Sequence, residues 1–243
     1  MKLLIDAGNT RIKWAQLNES GDWLRNGVLP VGQASGLPGL FAGSQDIRQI
    51  WASNVAGEEV ARHIRNIGAG QPPRFIAARE AQCGVRNGYA DAAQLGSDRW
   101  AALIAAWHLV REKCLVVNCG TAITIDALSG QGEFLGGLIL PGVELMQRSL
   151  AGATDRLKSG QMKPGQGKYV QFPLNTADAL YSGAIQAGCG AIQRQHGLLD
   201  DDAPVILSGG AAGMLRENLS LPLRVVDNLV LQGLLLISQE PSA

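Results

Sequence analysis

No Cys-x-x-Cys pair occurs among the four cysteines, Cys83, Cys114, Cys119 and Cys189, and no histidine stands at metal-ligand spacing. Neither a zinc site nor a disulfide framework is therefore indicated, and free thiols in a reducing cytosol fit the pattern. No apolar run approaches the roughly 18 residues of a membrane span. Asp6 follows only three apolar residues, Leu3 to Ile5, too few for a signal-peptide core. The expectation is a cytoplasmic protein with no membrane partner. Formal net charge is zero, which gives no electrostatic footprint for nucleic acid. A Walker A sequence is also missing, so the P-loop route to nucleotide binding is excluded.

What is present is a Gly-rich chain of 243 residues with 31 glycines, 46% hydrophobic and 17% charged residues. That composition reads as an α/β protein of one large or two modest domains. An internal pseudo-repeat organises it. The stretch from Leu3 to Trp14 and that from Leu115 to Asp126 share one outline. Each has a polar residue at the end of an apolar strand (Asp6 or Asn118), Gly two positions later (Gly8 or Gly120), then Thr, then β-branched residues. Glycine lets backbone approach a ligand closely, and Asn9, Thr10, Thr121 and Thr124 add short donors suited to phosphate oxygens. Asp6 could hold Mg²⁺ directly or through water. Two readings remain open: a pair of ordinary β-hairpins, or a nucleotide phosphate chain gripped by two related halves.

In chain order, Asp22 to Leu29 reads as a third strand after the opening hairpin, and residues 31–45 as loop or irregular helix. Ile47 to Ser53 is a strand, Glu58 to Ile67 a helix and Arg74 to Ala77 a short strand. Trp100, Leu103, Ile104 and Trp107 recur at i, i+3, i+4 and i+7, which predicts a helix from Ser97 or Asp98. Ser97 or Asp98 is then either simply an N-cap, or Asp98 takes a proton from a substrate hydroxyl while Arg99 holds a substrate carboxylate.

The second half repeats the meander with strands Cys114 to Asn118, Ala122 to Ala127 and Glu133 to Leu140. Pro141-Gly142 is expected to start a helix running from Val143 to Leu150, where proline's missing N–H is not needed. Residues 152–173 read as a mobile loop and Thr176 to Gln195 as a long helix with a small-residue face. Pro204 to Leu207 is a strand, followed by Ser208 to Gly213, whose glycine pair serves either a ligand or a tight turn. Leu223 to Val226 is a strand, and Asn228 to Ile237 a core helix.

Two matched β-β-β-α-β-α halves resemble the sugar-kinase, actin and heat-shock chaperone superfamily. The specific resemblance is to the type III pantothenate kinases. It is carried by Asp6-Ala7-Gly8-Asn9-Thr10, Asn87-Gly88-Tyr89, Gly96-Ser97-Asp98-Arg99, Gly120 to Asp126, Gly136 to Gly142 and Asn175-Thr176. The resemblance implies two ribonuclease H-like domains, 1–112 and 113–243, each a mixed five-stranded sheet flanked by helices. It also implies ATP-dependent phosphorylation of pantothenate, with Mg²⁺. Asp6, Ala7, Gly8, Asn9, Thr10, Arg11, Ile12 and Lys13 would wrap the ATP phosphates, with a further contact from Thr121. Tyr89, Gly96, Ser97, Asp98, Arg99 and Thr176 would line the pantothenate pocket, Asp98 as proton acceptor and Arg99 as partner of the carboxylate. Lys13 could instead be a solvent-facing charge on an alternating strand.

A homodimer is implied too, with Gly136 to Gly142 as interface motif. Asn118 stands where many members carry Asp at a K⁺ or NH₄⁺ site. An amide offers a carbonyl oxygen without charge, so weaker activation by a monovalent cation is expected if an ion binds at all. The alternatives on the same fold are another small-molecule kinase or a non-enzymatic transcription accessory module.

Overall fold

The computed structural model describes residues 1–44, 46–68, 72–153 and 166–241. By packing, the chain divides into two compact units. The first comprises Met1–Arg111, Gln131–Phe134 and Asn228–Ala243; the second comprises Glu112–Gly130 and Leu135–Asp227.

In the first unit, β1 (Lys2–Ala7), β2 (Arg11–Leu17), β3 (Trp23–Pro30), β4 (Gln49–Asn54) and β5 (Arg74–Phe75) form a sheet in the order β3-β2-β1-β4-β5. β2 is antiparallel to β1 and β3, whereas β1–β4 and β4–β5 are parallel. Because side chains alternate along a strand, β1 is apolar on both faces. Leu3, Ile5 and Ala7 meet Ile50, Ala52 and the short α1 (Leu37–Leu40) and α2 (Glu58–Arg65), through Leu37, Val60 and Ile64. Leu4, Ala15 and Leu17 meet Leu231 and Leu234 of α7 (Leu229–Gln239) on the other face.

The helix α3 (Ser97–Val110) buries the predicted Trp100, Leu103, Ile104 and Trp107, and also Ala101, Ala102, Ala105 and Ala106. A second partner therefore covers its alanine side. That partner is α7, and Gly233 is the reason it fits: a Cβ there would stand 1.9 Å from the carbonyl oxygen of Ala101. A two-strand hairpin, β6 (Ala81–Gln82) with β7 (Val85–Arg86), completes the unit. It turns through Cys83 and Gly84, both at positive φ, a conformation that the residue pair did not advertise.

In the second unit, β8 (Cys114–Cys119), β9 (Ala122–Leu128), β10 (Phe134–Pro141), β11 (Val205–Ser208) and β12 (Leu223–Val225) repeat the order as β10-β9-β8-β11-β12. α4 (Val143–Ala153), α5 (Thr176–Leu199) and α6 (Ala212–Arg216) accompany them. Ile185, Cys189 and Ile192 of α5 pack with Leu115, Val117, Ile123 and Ile125. The helix expected from Val143 is α4; Pro141, just before it, ends β10 and is not part of the helix. Gly142 makes that turn, donating its N–H to Thr121 O at 2.8 Å and accepting from Met146 N at 2.9 Å. A Cβ on Gly142 would lie 2.2 Å from Gly120 O. Gly209 (φ +100°) is likewise forced by chain packing, since a Cβ would lie 2.2 Å from Cys119 O.

Of the expected 152–173 loop, residues 154–165 lie outside the described residues, and 166–173 carry no helix or strand. Burial pushes the thiols of Cys83, Cys114 and Cys119 up to about 12 and that of Cys189 to about 11, so they are poor nucleophiles at neutral pH. No helix among the described residues is long and apolar enough to cross a membrane.

The α3–α7 contact yields a stability prediction. In Gly233→Ala, better helix propensity favours the variant by about 1 kcal/mol, while overpacking against Ala101 costs about 3 kcal/mol. We expect a net loss of about 2 kcal/mol in urea denaturation. Wild-type stability in that variant would mean that α7 can move away freely.

Candidate active site

In the first unit, the catalytic and pocket residues expected from sequence gather at the ends of β1 and β4. Asp6 and Ala7 close β1, and the chain returns at Arg11 through a turn in which Gly8 N–H donates to Arg11 O at 3.1 Å. Asn9, Thr10 and Arg11 are exposed in that turn. Thr10 O accepts from Val31 N at 2.9 Å, which ties the turn to the chain after β3. Ala7 and Ile12 face the core, so only their backbone is available to a ligand. Lys13 is the register partner of Asp6 across the hairpin.

The first turn of α3 supplies the next group. Its N-cap is Gly96, with no side-chain cap, rather than Ser97 or Asp98. Ser97 Oγ instead lies 2.8 Å from Ser53 Oγ, and Asp98 Oδ1 accepts from Arg99 N at 2.9 Å. A Cβ on Gly96 would stand 2.7 Å from Asp98 Oδ1. Glycine at this position therefore leaves room for the carboxylate to fold back over the helix start. The N-cap position itself falls to Gly96 instead of Ser97 or Asp98, while Asp98 still satisfies one first-turn amide, that of Arg99.

Arg99 is only 6% exposed. Its Nη1 donates to the Tyr89 hydroxyl at 3.1 Å, and its guanidinium lies 5.9 Å from the Tyr89 ring centre and 5.7 Å from that of Phe134. The two rings are 5.4 Å apart. Tyr89 is fixed in turn by its N–H, which donates to Asn87 Oδ1 at 3.0 Å. Gly88 permits the close passage of Phe134, whose carbonyl oxygen would be 2.1 Å from a Cβ there. Sequence reading missed Phe134 because it is 35 residues downstream of Arg99 and looks like an ordinary strand residue.

Burial pushes the Asp6 carboxyl up from 3.8 to about 7; the Asp98 carboxylate adds to the rise and Lys13 opposes it. Two carboxylates close to one another in a partly dehydrated setting are short of positive charge. An all-oxygen donor set of this kind fits Mg²⁺, which keeps several waters and takes one or two carboxylates with substrate phosphates. Among the described residues no group of three or more His, Cys, Asp or Glu could hold a metal ion.

In the second unit, Thr121 is exposed in the β8–β9 turn, and Gly120 N–H donates to Ala122 O at 2.9 Å. Asn118 is half-buried, in register with Thr124 and Ser208. Thr176 opens α5 behind its N-cap Asn175, whose Oδ1 accepts from Asp178 N at 2.9 Å.

The Asp6 shift has a sign that can be checked. Its raised folded value means that the carboxyl stabilises the fold at low pH and loses that contribution as pH rises from about 4 to about 7. Asp6→Asn lacks that loss. Melting in EDTA without nucleotide should show the variant's Tm rising relative to wild type between pH 5 and pH 8. A constant difference would mean that Asp6 titrates normally.

The sequence profile of the type III pantothenate kinases matches residues 2–197. A type III pantothenate kinase of Nitrosospira multiformis is 47% identical over 246 residues, covering 99% of this chain and 92% of the relative. That of Aromatoleum aromaticum is 46% identical and covers both chains fully. Among solved structures, a Campylobacter jejuni protein assigned to a Baf transcriptional-activator family superposes with a TM-score of 0.61. It has 24% identity and covers 95% of this chain and 94% of that one, a likeness of fold. With an N-terminal profile match and full-length relatives at this identity, the chain belongs to the type III pantothenate kinase family.

Proposed function

We propose a division of labour for the reaction that family membership assigns, the ATP-dependent phosphorylation of pantothenate to 4′-phosphopantothenate at the first step of coenzyme A biosynthesis. Asp98 accepts the proton of the primary hydroxyl as its oxygen bonds to the γ-phosphorus, and the bond to the β–γ bridging oxygen breaks to release ADP. The observation that carries this reading is the first turn of α3, where a carboxylate close to Asp6 is followed directly by a guanidinium braced by Tyr89. Arg99 pairs with the pantothenate carboxylate. Its fork is fixed before substrate arrives, so little side-chain entropy is lost on binding.

Asn9, Thr10, Arg11 and Lys13, with the backbone of Ala7, Gly8 and Ile12, hold the ATP phosphates. Thr121 adds a phosphate contact, and Thr176 contributes to substrate binding with Tyr89, Gly96 and Ser97. Mg²⁺, when bound at Asp6, supplies neutralisation of phosphate charge. A loose phosphoryl-transfer transition state asks for this combination of positioning and positive charge more than for covalent chemistry. The two five-stranded sheets are read as those of ribonuclease H-like domains, 1–112 and 113–243 along the chain, supported by their identical strand order, with α7 packing back into the first unit.

A homodimer in which a second copy covers β10 accounts for the exposure of Leu135, Leu138 and Ile139, the last at 66%. Leu135 and Leu138 border a shallow groove of about 310 Å³ that Leu198 and Leu199 also line. Ile139→Glu should convert the protein to monomers in analytical ultracentrifugation. A wild-type chain that sediments as a monomer at tens of micromolar would remove the assignment.

Asp98→Asn keeps the shape of the side chain and removes the base. We expect kcat to fall by about 10² to 10⁴-fold in a coupled ATP and pantothenate assay, the usual worth of general base catalysis. Retention of more than half of wild-type kcat would exclude Asp98 as the acceptor.

Arg99→Ala should chiefly raise KM for pantothenate, because the carboxylate contact exists in ground and transition states alike. Pantothenol, which lacks the carboxylate, should be used about equally by wild type and variant. An equal loss with both substrates would place Arg99 elsewhere in the mechanism.

A further inference from the structure

Ser53 is a fully buried hydroxyl at the end of β4, which none of the phosphate or pantothenate contacts above uses. It is the parallel-register partner of Asp6 on β1. Residues paired in this way project to the same face of a sheet. The opposite face is taken by Ala52 and Ile50, which join the core against α1 and α2. The next residue, Asn54, is occupied locally: its Oδ1 accepts from Ala56 N at 3.1 Å and its Nδ2 donates to Gly57 O at 3.0 Å.

Ser53 points instead to α3. Its Oγ is 2.8 Å from Ser97 Oγ, a bond spanning 44 residues of sequence. Ser97 is the first residue of α3 and precedes Asp98. The N-cap here is glycine and offers no side-chain cap; in the first turn Asp98 Oδ1 accepts from Arg99 N. A glycine N-cap leaves the first turn easier to distort than one with a Ser or Asp cap. The hydroxyl pair is thus a lateral tie between the strand end beside Asp6 and the turn that carries Asp98.

We propose that Ser53 is a positioning residue for phosphoryl transfer, acting through Ser97 to hold the Asp98 turn at a fixed distance from Asp6. The inference rests on the role given to Asp98 above. Its energetic logic follows from the steepness of catalysis with geometry, since a misplacement of about 1 Å can cost about 100-fold in rate. Ground-state binding of ATP depends on the β1–β2 turn and is little affected by where Asp98 stands.

The test combines kinetics with hydrogen exchange on the full chain. Ser53→Ala is expected to lower kcat by about 10-fold, well inside the bound just given for a 1 Å error, while KM for ATP stays within about 2-fold. The loss should be absent in a Ser97→Ala background, where the tie is already cut, so that the double variant is no worse than Ser97→Ala alone. A void or general loosening would instead lower kcat in both backgrounds. Deuterium uptake across residues 96–103 should be faster in Ser53→Ala than in wild type, with the rest of β1 and β4 unchanged.

Ser53→Cys, which nearly keeps the volume and weakens the hydrogen bond, gives the same split if the alanine variant does not fold. An unchanged kcat together with unchanged uptake overturns the proposal, as does an equal loss in the Ser97→Ala background. If wild type failed to phosphorylate pantothenate, the kinase reading would fall. The exchange measurement would still decide the tie.

Discussion

Gly233 lets the backbone of α7 lie against Ala101, and the candidate site depends on where that contact holds α3. A helix buried on all sides has no freedom to slide. Leu231 and Leu234 seat α7 on Leu4, Ala15 and Leu17 of the sheet, so the position of α3 is set from the sheet outward through α7. Its first turn then arrives at the ends of β1 and β4. A single hydrogen bond between Ser53 and Ser97 marks the junction.

The charges placed there are costly to hold. Asp6 is raised to about 7 by burial and by Asp98, and Arg99 is nearly buried against the neighbouring rings of Tyr89 and Phe134. The Asp6 arrangement does not serve the stability of the ligand-free chain above the pH at which that carboxyl ionises. Unfavourable electrostatics kept in one small region is what a site for a highly charged substrate requires.

The two sheets have one strand order but different chemistry at the matching turn. The first places Asp6 before Gly8, and the second places Asn118 before Gly120. In the second unit the neighbouring glycines, Gly142 and Gly209, are needed because backbone from β10 and β11 passes against the β8–β9 turn and Cys119. The framework is shared, while the carboxylate at the end of the first strand occurs in the first unit and an amide in the second.

Much of this was legible in the chain because it is local. Apolar alternation, the Asp-x-Gly turn and the i, i+3, i+4, i+7 spacing of Trp100 to Trp107 act over four or five residues, and they located β1, β2, α3 and the residues of the phosphate turn. Local signals failed where a distant segment decided the outcome. Pro141 looked like a helix start, but pairing in β10 claimed it. The β6–β7 hairpin, turning through Cys83 and Gly84, went unread. Ser97 looked like a cap, and its hydroxyl went to a serine 44 residues away. Sequence alone determined the two matched strand-turn-strand stretches and the helix α3 on which the candidate side chains sit. Tertiary structure alone decided the bracing of Arg99 by Phe134, the glycine contact at Ala101 and the Ser53 tie. Each of these depends on sheet order and helix packing, which bring together residues that no periodicity links.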